Sequence, residues 1–375
     1  MDFATDFLGY QRESERIAMI TNADKLRKML AEENYCAIIT SDINRRYYSG
    51  MKSSAGTLLV FPEDAYLIID FRYYEKACET VSDCEVILQN KTYEQIIELL
   101  KKHRTDKVYI ESENMTVSDF NTYRERLEGF EIDSSDTLSN AAGAIRAIKS
   151  DLELEKMQTA QNIAEEALAY VMENVIKEGV SELEVGRALD FYMLSHGAEA
   201  VSFDTIALSG ANTSLPHGVP SEKKIAKGEF VLMDFGAVYD GYHSDMTRTV
   251  CVGNPTEEMK EVYEIVLEAQ KRCLDFVKPG VVCRELDACA RDFIASKGYG
   301  DCFGHGLGHS VGLEIHERPA ANTRSTTVLD ENMVMTIEPG IYLQHRFGVR
   351  IEDCVYLTAN GYNNFAHSPK NLIIL

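Results

Sequence analysis

Through the first 140 residues, short apolar runs alternate with stretches in which apolar residues recur three and four apart. CAIIT, TLLVF, AYLIID, CEVIL and KVYIE read as strands, whereas ADKLRKMLAEE, YEQIIELLKKH and VSDFNTYRERL carry the helical period. Strands and helices alternating in this way predict an α/β sandwich. The link FPED holds the single proline before residue 200 and predicts a tight hairpin turn between TLLVF and AYLIID.

The pattern changes near 140–150. Ser150, followed three residues later by Glu153, forms a capping box that opens a long amphipathic helix to about Lys177. The chain therefore divides into an α/β domain, 1–145, and a second domain, 146–375. A second box, Ser181 with Glu184, opens the next helix, which ends at Gly197 with an αL cap expected there. IKEGVSELEVGRALDFYMLSHG and VKPGVVCRELDACARDFIASKG match at Lys177/Lys278, Gly179/Gly280, Val180/Val281, Glu184/Glu285, Ser195/Ser296 and Gly197/Gly298, all at an offset of 101. An internal duplication of this kind predicts two similar halves meeting at a shared sheet, with a site between them.

The chemistry of the second domain lies on its strands. EFVLMDFGAVYDGYHSDMTRTVCVG reads as a hairpin turning at Asp240-Gly241, a dipeptide suited to a type I′ turn. If Tyr239 pairs with Tyr242, cross-strand partners sum to 481, so Asp234 lies opposite Thr247 and Asp245 shares its face diagonally. An ionised carboxylate in so apolar a strand needs a partner charge, which a metal ion would supply. The second copy ends likewise: TIEPGIY and GVRIED put Glu338 and Glu352 at the ends of two apolar strands, 14 residues apart.

Between the pairs, FGHGLGHSVGLEIHERP holds His305, His309 and His316. Their spacings of four and seven could fit one helix face, but Gly304, Gly306, Gly308 and Gly312 argue for an extended segment of close backbone approach. His217, in SLPHGVPS, adds an imidazole from the first copy.

Composition narrows the partners. The 375 residues leave room for two or three cores, and 45% hydrophobic with 26% charged is the balance of a soluble globular chain. With 60 acidic against 38 basic residues, a net charge of −22, a sequence-independent grip on nucleic acid or anionic membrane is disfavoured. No membrane-length apolar run occurs, the start MDFATDFLGYQRESER lacks a signal-peptide pattern, and nine cysteines without a CxxC pair read as reduced thiols. A cytoplasmic location is the expectation. Four carboxylates and one imidazole make a hard-donor set suited to two divalent cations, manganese before cobalt or zinc. Such a pair, roughly 3.5–4 Å apart, would hold a bridging water as hydroxide for hydrolysis. The remaining acids read as solvated surface.

FDTIALSG, LPHGVPS, MDFGAVYDGYHSDMTRT, GHGLGHSVGLEIHE, TIEPGIY and GVRIED, in this order, resemble the pita-bread metallopeptidases, and within them the Xaa-Pro group of aminopeptidase P and prolidase. YYSG and IIDFRYYEKA look, more weakly, like that group's non-catalytic domain, with Phe71 in a loop position where the group often has Gly. The resemblance implies a creatinase-like α/β N-terminal domain and an α+β pita-bread catalytic domain with a pseudo-two-fold repeat. It implies metal ligands at Asp234, Asp245, His309, Glu338 and Glu352, with Asp245 and Glu352 bridging. It further implies that His217 and His316 contact the substrate carbonyl and oxyanion, and that His305 is a further active-site histidine. Glu338 would shuttle the proton, and Arg350 would sit near the metals.

The implied activity is metal-dependent removal of an N-terminal residue before proline, from short peptides or from Xaa-Pro dipeptides, by a homodimer. A dipeptidase would need a cation for the substrate's free carboxylate, with Arg318, Arg324, Arg346 and Arg350 as candidates. An inactive binding protein of the same fold, and a related aminopeptidase without proline specificity, are the alternatives.

Overall fold

Five of the six strands in the first part of the chain are the predicted apolar runs, and their burial explains why they pair. A computed structural model describes residues 21–30 and 34–375; the segment MDFATDFLGYQRESER and the end of the first predicted helix, 31–33, lie outside the described residues. The chain divides into two compact units, residues 1–145 and 146–375.

In the first unit the strands are β1 (Tyr35–Ile39), β2 (Thr57–Val60), β3 (Ala65–Ile69), β4 (Glu85–Leu88), β5 (Lys107–Ile110) and β6 (Glu131–Asp133), in the order β4-β3-β2-β1-β5-β6. The FPED link makes the expected hairpin, with Val60 paired to Ala65. The core gathers Cys36, Ile38, Leu59 and Ile68 from the sheet with Ile96 and Leu100 from the helix Thr92–Lys102. Three helices had no sequence reading, Asp42–Ser49, Phe71–Thr80 and Thr137–Ala147, the last of which runs across the boundary between the units. The first hides its period because its buried side includes Asn44 and Arg45, the latter donating to the carbonyls of Thr40, Ser53 and Gly56. The second begins at Phe71, capped by the Asp70 side chain, so the expected loop position is a helix start, with Phe71 84% exposed.

In the second unit both capping boxes form, opening the helices Asp151–Asn174 and Glu182–Ser195, and Gly197 takes a φ of +105°. The duplication is visible residue by residue. The helices Glu182–Ser195 and Cys283–Ser296 are both 14 residues long, and Gly179 and Gly280 take φ values of +87° and +90°. Val185, Leu189 and Met193 bury one face of the first helix, and Leu286, Ala290 and Ile294, at the same offset, bury that of the second. Each face meets the core of its own copy: Val231, Met233 and Phe235 in one, Met335, Ile337 and Val355 in the other.

The halves do not share one sheet, contrary to expectation. β8 (Ile206–Ser209), β9 (Glu229–Phe235) and β12 (Met246–Val252) form one three-stranded sheet, and β15 (Val334–Ile337), β18 (Asp353–Thr358) and β19 (Gly361–Asn364) form another. The chain changes partner between Arg350 and Asp353: β17 (Phe347–Arg350) pairs with β16 (Gly340–Leu343), whereas β18 pairs with β15. At that break the Glu352 N–H donates to the Thr247 carbonyl at 3.1 Å, which ties the sheets together beside two acidic residues. Among the described residues no helix is long and apolar enough to cross a membrane.

Candidate metal centre

The hairpin register follows the count from its turn. Tyr239 pairs with Tyr242 and Asp234 with Thr247, and Asp240 and Gly241 take φ values of +44° and +82°, both left-handed as a type I′ turn requires. The ladder is broken at Gly236, where a Cβ would overlap the Ser244 carbonyl oxygen. This close approach precedes Asp245, which lies just before β12 with its side chain buried. Gly308 plays the same part in β13 (Gly308–Ser310), where a Cβ would overlap the Thr336 carbonyl oxygen. The glycine-rich segment is extended here, as its composition predicts, and His309 leaves the strand beside Glu338.

Five side chains converge. One oxygen each of Asp234, Asp245 and Glu352 lie within 4.8 Å of one another. His309 Nε2 is 3.6 Å from Asp245 Oδ2 and 3.5 Å from Glu338 Oε1. All nine residues singled out in the sequence (His217, Asp234, Asp245, His305, His309, His316, Glu338, Arg350 and Glu352) line one cavity of about 800 Å³.

The electrostatics explain what this cluster needs. Burial, and then the neighbouring carboxylates, push the Asp245 and Glu352 carboxyls well above the usual range. Burial, with the charge of Asp234 adding and Arg350 opposing, pushes Glu338 up to about 8. Burial lowers His309 to about 4, so its imidazole is neutral near pH 7. His309 Nδ1 lies 3.1 Å from the Ser310 carbonyl, which can only accept; the proton is therefore on Nδ1, and Nε2 turns its lone pair to the acids.

Arg350 is the guanidinium that faces the four acids, pairing with Asp234 Oδ2 at 2.6 Å, while the buried Asp234 Oδ1 has no hydrogen-bond partner. Four carboxylates, one orphaned oxygen and one neutral imidazole lone pair fit hard or borderline divalent cations.

Three residues without a sequence-derived role complete the framework. Thr247 Oγ1 accepts from Arg350 Nε at 3.0 Å and donates to Glu352 Oε2 at 2.7 Å. Thr336 Oγ1 accepts from the His309 N–H at 2.9 Å and donates to Glu338 Oε1 at 3.0 Å. Tyr342 OH accepts from Arg350 Nη1 at 2.8 Å and lies 2.9 Å from His305 Nε2. His305 Nδ1 faces the Gly306 carbonyl at 2.8 Å, so the tyrosine hydroxyl donates to Nε2 and both ring nitrogens are engaged. His217 and His316 are exposed in the cavity, the His316 ring 4.5 Å from that of His309. The Thr247 signal was available in the hairpin count; Thr336 and Tyr342 had no spacing to mark them.

The profile described as "Metallopeptidase family M24" matches residues 155–359, more than half of the chain. The chain belongs to metallopeptidase family M24. The creatinase/prolidase N-terminal domain matches residues 23–148. An Xaa-Pro dipeptidase of Pyrococcus furiosus is 40% identical over 93% of this chain and 99% of its own length. Among solved structures, an Xaa-Pro dipeptidase from Bacillus anthracis superposes with a TM-score of 0.90 at 40% identity, covering 94% of this chain and 99% of that one. An X-Pro aminopeptidase from Thermotoga maritima does so with a TM-score of 0.87 at 34% identity, covering 94% and 100%. The fold is thus a creatinase N-terminal domain followed by the M24 pita-bread domain.

Within this M24 domain the four arginines considered for a substrate carboxylate fall differently. Arg318, Arg324 and Arg346 are not on the cavity wall, and Arg346 pairs with Glu258. Arg350 is on the wall but is taken up by Asp234, Thr247 and Tyr342.

Proposed function

We propose that the protein is a dinuclear metallo-exopeptidase that hydrolyses the Xaa-Pro bond of dipeptides or at the N-terminus of short peptides. The observation that carries this reading is the convergence of Asp234, Asp245, His309, Glu338 and Glu352 in one cavity. The chain's near full-length similarity to Xaa-Pro dipeptidases supports the substrate class.

Asp234, Asp245, His309, Glu338 and Glu352 would hold two divalent cations, manganese before cobalt or zinc, with Asp245 and Glu352 shared between them. When bound, the ions neutralise the buried carboxylates, acidify a water and polarise the scissile carbonyl. Glu338, on the cavity wall with Oε1 3.5 Å from His309 Nε2, would take a proton from the water and return it to the leaving nitrogen. That return matters for an Xaa-Pro bond, whose nitrogen is a tertiary amide with no N–H and leaves only once protonated. His217 and His316, exposed in the cavity, donate to the carbonyl oxygen as negative charge develops on it. Arg350 acts through Asp234, fixing one carboxylate oxygen and leaving the other free to ligate.

The nine free cysteines suit a reducing cytoplasm, and a homodimer is the assembly proposed. Hydrolysis of Ala-Pro, Ala-Pro-Ala-Ala and Ala-Ala-Ala with manganese added tests the reading. Cleavage of a proline substrate, lost on chelation, is expected. Cleavage of Ala-Ala-Ala alone would favour an aminopeptidase without proline specificity, and no metal-dependent cleavage would favour a binding protein.

A further inference from the structure

Glu352 stands where the chain leaves one sheet for another, in the break between β17 and β18. No ladder fixes its peptide there, yet the residue is buried, so its N–H and carbonyl need partners from elsewhere. β12 supplies both. The Glu352 N–H donates to the Thr247 carbonyl at 3.1 Å, and the Glu352 carbonyl accepts from Arg248 Nη1. With Thr247 Oγ1 donating to Glu352 Oε2, two consecutive residues hold the backbone donor, the backbone acceptor and the carboxylate of Glu352.

Period-two alternation turns Arg248 to the opposite side of β12 from Thr247, where it meets Asp353, the residue after Glu352, at 2.8 Å. Both are almost wholly buried, at 2% and 0% exposure. All five guanidinium N–H groups are spent. Nε donates to the Pro369 carbonyl at 3.2 Å, Nη1 to the Thr247 carbonyl at 3.0 Å and to that of Glu352, and Nη2 to Asp353 Oδ1 and, at 3.0 Å, to the Ser368 carbonyl. The other oxygen of Asp353 accepts from Gln270 on the helix Glu257–Phe276 at 3.0 Å, from Asn364 at 2.8 Å and from Lys370 at 2.7 Å.

A cation that only neutralised Asp353 could be any cation. Arg248 does more, because one planar fork fixes the Glu352 carbonyl relative to both the Thr247 carbonyl and the Asp353 carboxylate. A lysine ammonium has three donors and no plane, so it can face Asp353 but cannot hold the two carbonyls and the 368–369 segment at once.

We propose that Arg248 is a positioning residue for the metal centre: through the Glu352 carbonyl and the Asp353 carboxylate it sets the orientation in which the Glu352 side chain meets Asp234 and Asp245, and so determines whether one carboxylate can be shared between two cations. The inference rests on the dinuclear reading above and extends it to residues that touch neither substrate nor metal. Gln270, Asn364 and Lys370 act one step further out, by holding Asp353.

The test follows manganese binding by calorimetric titration, and the pairing of the ions by electron paramagnetic resonance, in the wild type, Arg248→Lys, Lys370→Met and Ile294→Ala. Ile294→Ala, in the core of the second copy and outside the cluster, is the control for lost stability alone. The wild type should bind two ions whose spectrum shows exchange coupling. Arg248→Lys keeps a charge facing Asp353, yet should bind the second ion about 10- to 100-fold more weakly, the range expected when an outer partner of a ligand is lost. It should also show the spectrum of isolated manganese at loadings that pair the ions in the wild type. Lys370→Met, which leaves the fork in place, should weaken the second ion less, and it carries the comparison should Arg248→Lys not fold. Ile294→Ala should melt earlier and bind as the wild type does. Unchanged affinity and coupling in Arg248→Lys, or in Lys370→Met where that is the variant that folds, or an equal loss in Ile294→Ala, overturns the positioning role and leaves the dinuclear reading standing. A wild type that binds fewer than two ions overturns both.

Discussion

Arg350 and Asp234 are joined by an ion pair of 2.6 Å, and the same guanidinium holds Thr247 and Tyr342. One side chain thus organises groups from four places in the chain: β9, β12, β16 and, through Tyr342, the His305 segment. It also divides the labour within Asp234, binding Oδ2 and leaving Oδ1 without a donor. A carboxylate fixed in this way loses little freedom on taking up a cation.

Arg350→Gln should therefore cost more than a surface arginine would. Removing the guanidinium leaves a carboxylate cluster with no cation facing it, a change of about 3–5 kcal/mol in the metal-free protein. Metal affinity should fall roughly 10- to 100-fold, because the outer partner that orients Asp234 is gone. Chemical denaturation without metal and calorimetric titration with manganese measure the two effects. An unaltered affinity would separate Arg350 from the metal centre.

Asp245→Asn should have the opposite effect on the empty protein. Asp245 is buried and repelled by Glu352, Asp234 and Glu338, so replacing it with a neutral isostere relieves that repulsion. The metal-free variant should melt at or above the wild-type temperature, yet bind fewer manganese ions and hydrolyse no Xaa-Pro substrate. Melting curves with and without manganese, together with elemental analysis, decide it. Undiminished turnover would remove Asp245 from the machinery.

Much of this arrangement was legible because strand arithmetic is rigid. Once Asp240-Gly241 is taken as the turn, period-two alternation places Asp234 opposite Thr247, and the glycines around His309 exclude a helix. The roles given to the nine residues came from resemblance and not from spacing. What stayed hidden was of two kinds. Thr336 and Tyr342 act through contacts with the His309 backbone and the His305 ring, 27 and 37 residues away, for which sequence spacing carries no signal. The helix Asp42–Ser49 conceals its period because a buried arginine with backbone acceptors looks, in sequence, like an exposed one.

The glycines of FGHGLGHSVG look interchangeable in sequence and are not so in space. A Cβ at Gly308 would overlap the Thr336 carbonyl oxygen, whereas at Gly304 nothing lies within 4 Å. Gly308→Ala should destabilise by about 1–3 kcal/mol through overpacking and weaken metal binding by shifting His309. Gly304→Ala should do neither. Paired unfolding and manganese titrations of the two variants check this, and equal effects would show that the close approach at Thr336 is not what the segment requires.

Glu317 supplies a pH dependence whose sign can be worked out. Its buried carboxylate meets Arg146 and, at 3.1 Å, Lys149, and it accepts from the Glu314 N–H at 3.2 Å, which fixes the segment carrying His316. Burial alone would raise its carboxyl, but the charges of Lys149 and Arg146 outweigh burial and hold it below the usual range. A carboxyl depressed in the folded state contributes stability that is fully present above its unfolded value of about 4.3 and is lost as pH falls through the folded value. Glu317→Gln should cost about 3–5 kcal/mol at pH 7, since it removes the buried carboxylate shared by two buried cations, with Arg146 keeping its pair with the more exposed Glu314 at 2.7 Å and Lys149 its hydrogen bond to the Ser310 hydroxyl at 3.1 Å. The gap between wild type and variant should be the same at pH 7 and pH 5.5 and should narrow on further acidification. Urea denaturation across that range measures it, and a gap that stays constant through the acid limb would mean that the ion pair is not the source of the stability.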